Sequence, residues 1–238
     1  MLFYFLDTLI REPLIFLRLL PLILVTFVLS LLIAMTVHEF GHALVAHMLG
    51  DETARRAGRL SLNPLRHLDP AGTILLLIVG IGWGKPVPVN PNLLGRGARQ
   101  GMAVVAAAGP AANFVTAAIA AIPIQLGLVQ WRTPLDGIPG YYSVDGIVPT
   151  LFAFVIFYNI LLGVFNLIPI SPLDGFKVLL GILPAGLSFS LAKLEQYGMA
   201  ILILLFALDW FTNMGIFWRI ISGPANTIGT LFVGRPFL

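Results

Sequence analysis

His38-Glu39-Phe40-Gly41-His42 is an H-E-x-x-H sequence. On a helix, positions i and i+4 lie on one face, so His38 and His42 can grip a single zinc ion between two imidazoles. Glu39 then stands beside the open position of the metal. There it can take a proton from the attacking water and hand it to a leaving amine, which is the general-base task in a metalloprotease. The bland alternative is a helix end with two histidines bonded to backbone. It is disfavoured because three ionisable groups lie in five residues at the end of an apolar run, where such groups are expensive and functional by default.

Catalytic zinc generally takes three protein ligands and keeps one position open. His47, His67, Asp69 and Asp174 are the candidates for the third. His47 follows His42 by five residues and points roughly 140° away round the helix. Asp174 follows Asn166-Leu167-Ile168-Pro169-Ile170-Ser171-Pro172-Leu173, which cannot be regular helix because each proline removes a donor and clashes with the turn before it. Irregular backbone at membrane depth is tolerated only where it lines an enclosed cavity. A carboxylate there is the best third ligand.

The elements that position these residues belong to a membrane protein. Of 238 residues, 58% are hydrophobic and 11% charged, and mean hydropathy is +0.94. A soluble domain carries about 25% charged residues. The charge level excludes an ordinary soluble domain, and the hydrophobicity excludes a disordered chain. A net charge of +3 spread along the chain makes no nucleic-acid patch, and with no cysteine there are no disulfides or thiolate ligands.

The expected organisation is a single membrane-embedded peptidase domain over 1–238, all-α and polytopic, with about four to six transmembrane helices. Residues 1–17 read as an amphipathic interfacial segment and not as a cleavable signal, since Asp7, Arg11 and Glu12 interrupt it. Residues 19–50 are expected to form the HExxH helix, stopping at Gly50-Asp51. The polar loop 51–70 is expected to carry a short strand at Gly58–Leu62. The 71–91 stretch is expected to combine a re-entrant segment with an extended loop, because Ala71–Trp83 is short for a crossing and GKPVPVNP is extended by its prolines. A middle helix follows at 100–123, then a helix with its broken end at 146–175. The C-terminal helices at 179–221 are read as Leu179–Ala192 and Tyr197–Trp218.

Orientation follows from the basic loops. Residues 51–70 hold Arg55, Arg56, Arg59 and Arg66, and residues 84–99 hold Lys85, Arg96 and Arg99, whereas 129–145 holds only Arg132 with Asp136 and Asp145. The positive-inside rule puts both basic loops in the cytoplasm. The Ala71–Trp83 segment then dips in and returns. The 146–168 span runs inward and delivers Asp174 to the face that carries His42. Had 71–83 crossed, Asp174 would arrive roughly 30 Å away.

HEFGH at 38–42, GPAAN at 109–113 and NLIPISPLDG at 166–175, in that order on hydrophobic segments, resemble the site-2 protease family of intramembrane zinc metalloproteases. Stretches 54–73 and 84–91 are similar to its short form, and no PDZ or CBS module is visible. The resemblance spans roughly 34–180. It implies one zinc per chain held by His38, His42 and Asp174, with Glu39 as general base. It also implies that Asn166 holds substrate or stabilises the oxyanion, as a preorganised amide donor does.

Other residues carry two readings each. Gly109 and its neighbouring alanines let helices approach closely, and Asn113 is placed to bond the broken backbone at 166–173. Pro86, Val87, Pro88, Val89 and Asn90 offer an edge on which an unwound substrate could pair, or form a plain loop in which prolines block association. His67 and Asp69 suit a loop bonded to its own backbone or a supporting role at the site. Arg55, Arg56 and Arg59 are expected against anionic headgroups.

The reading is a zinc endopeptidase of a prokaryotic cytoplasmic membrane, its site toward the cytoplasm. It would cut a bond in or near the transmembrane segment of a membrane protein, with lipid and substrate as its partners. A divalent-metal transporter or an inactive scaffold is the rival; a transporter needs successive polar sites, which the uncharged 100–131 and 146–173 runs lack.

Overall fold

The computed structural model describes residues 13–72, 84–133 and 144–238. The first helix, α1 (Pro13–Met48), takes in the whole HEFGH motif. Its 36 residues rise about 54 Å, more than a hydrocarbon thickness. The middle helix α2 (Ala98–Gln125) and α3 (Val144–Asn166) pack against it and against each other. After an irregular stretch come α4 (Asp174–Ile182), α5 (Ala185–Ala192), α6 (Gly198–Thr212) and α7 (Ile216–Val233).

Among the described residues, four segments are long and apolar enough to cross a membrane: Leu24–Met48, Ala98–Gln125, Gly146–Asn166 and Ala185–Thr212. The chain is therefore an all-α polytopic membrane protein, as its composition requires. Among the described residues the only β pairing is a single antiparallel bridge, Leu68 to Gly84.

α1, α2 and α3 pack on one another, and the main buried apolar cluster lies between α2, α3 and α7, where Ala117, Ala121, Ile156, Ile160, Ile221 and Val233 meet. Gly101, Ala106, Gly109, Pro110, Asn113, Ala117 and Ala121 form a buried small-residue face on α2, with Asn113 its one polar member. Without a hydrophobic drive between helices in lipid, such residues gain their stability from close backbone approach. A Cβ on Gly41 would meet the Ala108 carbonyl oxygen at 2.6 Å and the Ala112 Cβ at 2.9 Å. α1 and α2 thus approach closely at Gly41, inside the H-E-x-x-H sequence. α7 packs on α3 and α2 through Phe217, Ile221, Ala225, Gly229 and Val233, one residue per turn. On α6, Trp210 and Phe211 are 84% and 85% exposed, a surface that only lipid suits.

Several boundaries differ from the sequence reading. Residues 13–17 open α1 instead of forming a separate interfacial segment; residues 1–12 lie outside the described residues, as do 73–83 of the expected re-entrant segment. Gly58–Leu62 is not a strand, because Arg59 turns inward and its bonds shape the loop. α2 runs past Pro123 to Gln125. Leu183-Pro184 divides the expected Leu179–Ala192 helix in two. The expected Tyr197–Trp218 helix stops at Thr212, where Asn213 turns left-handed, and α7 extends beyond residue 221 to Val233. Asp209 serves that corner: its Oδ1 accepts the Ile216 N–H at 2.6 Å, satisfying a free donor at the start of α7.

Candidate metal centre and substrate cavity

His38 and His42 project from α1 one turn apart, their rings 4.7 Å apart and nearly perpendicular. Asp174 opens α4, directly after the broken stretch. Its Oδ2 lies 3.0 Å from His38 Nε2 and 3.2 Å from His42 Nε2. Both histidines are buried. Three ligand atoms, one from each residue, lie within 4.8 Å of one another.

The hydrogen bonds define which imidazole atoms face the centre. His42 Nδ1 lies 2.8 Å from the Val105 carbonyl oxygen, so it carries the proton and donates. His38 Nδ1 lies 2.6 Å from Asn113 Oδ1. Asn113 spends its amide hydrogens on the Ala34 carbonyl oxygen (2.8 Å) and on Asn159 Oδ1 (2.9 Å), so the atom facing His38 is an oxygen and His38 Nδ1 also donates. Asn159 in turn donates to the Val155 carbonyl oxygen at 2.8 Å. In the neutral imidazoles both Nε2 atoms therefore carry lone pairs. Two lone pairs and a carboxylate oxygen converge, and among the described residues no other donor reaches Asp174 Oδ2. A buried anion with no counter-charge costs several kcal/mol, so the arrangement calls for a cation. Two imidazole nitrogens and one carboxylate oxygen are the donor set of a catalytic zinc with one open position.

Gly109 gives the rings their space. A Cβ there would lie 2.5 Å from His42 Cε1 and Nε2 and 2.8 Å from His38 Cε1. This is a more specific role than helix packing alone. Within a helix, glycine to alanine ordinarily stabilises by about 1 kcal/mol. Here the clash reverses the balance: Gly109→Ala is expected to keep its helix content and lose zinc, measured as zinc per chain in purified protein. Asn113 bonds His38, not the broken backbone at 166–173. Asn113→Ala is expected to weaken zinc affinity by about 10–100-fold, the usual effect of removing a partner that orients a ligand, readable by competition with a chelator.

The centre opens into a cavity of about 700 Å³. Phe27, Leu31 and Met35 of α1, and Leu162 and Phe165 of α3, form part of its apolar wall, and Glu39, Asn166, Asp174 and Lys177 also line it. Asn166 gives one amide hydrogen to the Leu162 carbonyl oxygen at 3.0 Å. Pro86, Val87 and Val89 line the cavity, whereas Pro88 is exposed and not part of the lining. Asn90 is a structural corner: its N–H goes to Asp51 Oδ2 at 2.6 Å and its Oδ1 caps the turn at Asn92.

Two buried charged side chains hold the ends of this Lys85–Asn90 segment. The Arg59 guanidinium donates to the carbonyl oxygens of Arg66 and Lys85, and Asp51 holds Asn90. Arg59 is 5% exposed, so it does not sit against headgroups as expected from sequence. Burial pulls its guanidinium below the ordinary value, opposed by attraction to Glu39. Burial raises the Asp51 carboxyl, and hydrogen bonds from Thr53 and the Asn90 N–H more than reverse that, leaving it lowered. Between these clamps, the Val87 and Val89 main-chain groups bond to nothing among the described residues. His67 N–H and carbonyl groups also brace the region: its carbonyl accepts the Lys85 N–H at 2.8 Å, and its buried ring Nε2 meets the Ser61 carbonyl oxygen at 2.7 Å. Asp69 accepts the Gly72 N–H, and His47 pairs with Glu52 at 2.8 Å, away from the centre.

Sequence reasoning missed the Asn113–Asn159 relay and the Arg59 clamp. An amide such as Asn159 inside an apolar helix was the available signal, since polar side chains in membrane helices bond across helices.

The fold and site define a polytopic membrane protein with a two-histidine, one-carboxylate centre at the base of an apolar cavity. The family model of Peptidase family M50 matches residues 133–208, which include Asn166 and Asp174. Over 211 residues the chain is 34% identical to "Putative zinc metalloprotease YwhC" of Bacillus subtilis, covering 86% of this chain and 90% of that protein. It is also similar to two mycobacterial proteins of the corresponding name, Rip2. Identity is 34% over 79% of this chain and 70% of the Mycolicibacterium smegmatis protein, and 29% over 83% of this chain and 74% of the Mycobacterium tuberculosis protein. No solved structure matches. The chain belongs to Peptidase family M50 and is an intramembrane zinc metalloprotease.

Proposed function

We propose that this protease cuts a peptide bond in or near the transmembrane segment of a membrane protein substrate, with His38, His42 and Asp174 holding one zinc and Glu39 as general base. The observation that carries the reading is the Asp174 carboxylate brought to 3.0 and 3.2 Å from the two Nε2 atoms of the H-E-x-x-H histidines, beside an apolar cavity. Zinc, when bound, supplies a Lewis acid that polarises the scissile carbonyl and acidifies a water.

The chain's own residues do the rest. Glu39 takes the proton of the attacking water and passes it to the leaving nitrogen. The second amide hydrogen of Asn166 is free to meet the oxyanion as charge develops on it. The unbonded Val87 and Val89 main-chain groups hold an unwound substrate by strand pairing, because a peptide bond inside a helix is shielded by its own hydrogen bonds. The apolar wall excludes water from the extended segment.

The orientation reading puts the centre on the cytoplasmic side of a prokaryotic cytoplasmic membrane. The basic stretches 51–70 and 84–99 adjoin the end of α1, where the Gly95 N–H bonds to the Leu49 carbonyl oxygen. His42 lies six residues before the last residue of α1, about 9 Å below that end. The centre is thus submerged but close to the surface. Among the described residues no second cluster of metal-ligating side chains exists to continue a transport path.

The test is cleavage of a panel of single-span substrates by the purified, reconstituted protein. Cleavage should stop on chelation and return with zinc. Cleavage that persists in metal-free protein would sink the reading.

A further inference from the structure

Lys177 stands on α4 one turn beyond Asp174 and lines the same cavity. It is half-buried, and it makes no hydrogen bond or ion pair with any described residue. Among the described residues, the other ionisable groups on the wall have roles in the proposed function: His38, His42 and Asp174 toward the metal, Glu39 toward the proton. Two neutral imidazoles, two carboxylates and a divalent ion cancel. Lys177 leaves the cavity with one positive charge in excess.

Water solvates that ammonium while the cavity is open. A bound substrate displaces the water, and an unpaired charge in an apolar enclosure then costs several kcal/mol. The counter-charge therefore has to come with the substrate. Resting on the proposed function, we infer that Lys177 is a specificity-determining residue that pairs with an acidic side chain close to the cleaved bond. Three residues of helix separate it from Asp174 by about 4.5 Å. With its own stem, the ammonium reaches a carboxylate within about two or three residues of the bond in an extended chain, at roughly 3.3 Å per residue.

The test uses the full chain in proteoliposomes and matched single-span substrates that carry Glu, Gln or Lys two or three residues to either side of the mapped bond. Wild type should cleave the Glu form about tenfold better than the Gln form in kcat/KM, and the Lys form worst, about 1.4 kcal/mol per tenfold step. Lys177→Gln should remove the preference, and Lys177→Glu should invert it toward the Lys form. Equal rates on all three forms by wild type overturn the proposal. So does an equal loss on all three in both variants, the mark of a structural role. A loss that follows the anionic lipid content of the vesicles assigns the ammonium to a headgroup and also overturns it. If wild type cleaves nothing, it is the protease reading that fails. Binding of short apolar peptides with a central Glu or Gln to the Glu39→Gln protein still tests Lys177: tighter binding of the Glu peptide that vanishes on adding Lys177→Gln supports the pairing, and equal binding refutes it.

Discussion

Glu39→Gln is expected to leave zinc bound at one per chain and to lower cleavage by about 10²–10⁴-fold, the range a positioned general base supplies. The two effects separate because Glu39 is not among the three residues whose ligand atoms converge. It stands one residue along α1 from His38 and lines the cavity. The amide keeps the size of the carboxylate and removes its ability to take a proton. Zinc analysis and cleavage of one single-span substrate, run on the same preparation, check both halves. A variant that lost its zinc but still cut would remove Glu39 from the mechanism.

Asp174→Asn should do the opposite. It removes the only anion among the three proposed ligands, so zinc retention should fall by more than the roughly 10–100-fold that follows loss of a supporting partner, and cleavage should fall to background. The fold should survive. Without metal the carboxylate faces two imidazole lone pairs and has no other donor among the described residues, so its charge stabilises nothing in the metal-free protein at a pH where the histidines are neutral. Metal-stripped wild type and Asp174→Asn should therefore melt within a few degrees of each other at pH 8. Added zinc should raise the Tm of wild type alone. A ligand at a hundred times its Kd contributes about 2.7 kcal/mol, enough for the difference to be measured. A variant that melted far below stripped wild type would make Asp174 a structural residue instead.

These expectations rest on different levels of the chain. The membrane class, the helices and the H-E-x-x-H pair were legible in the sequence, because they depend on local pattern: a long uncharged run is a helix in lipid whatever surrounds it, and i, i+4 share a face in any helix. That the chain breaks near Asp174 was legible too, since Pro169 and Pro172 forbid regular helix without help from elsewhere.

What only the tertiary structure decided involves residues far apart in the chain. Asn113 is 75 residues from His38 and reaches its ring only because α1 and α2 cross closely at Gly41. Gly109 is one glycine among 24 until two imidazoles are seen where its side chain would be. Arg59 was read as a headgroup contact because a basic loop beside a membrane usually is one; its burial depends on the carbonyls of Arg66 and Lys85, which only the loop's path brings together. Asp209 and the break at Asn213 depended likewise on how α6 and α7 meet. Sequence pattern specifies which groups must leave water and which bonds a helix completes by itself. It does not specify which distant polar group completes the remaining ones, since that depends on the crossing of helices, and in this protein the orientation of the His38 and His42 imidazoles is built from those distant bonds.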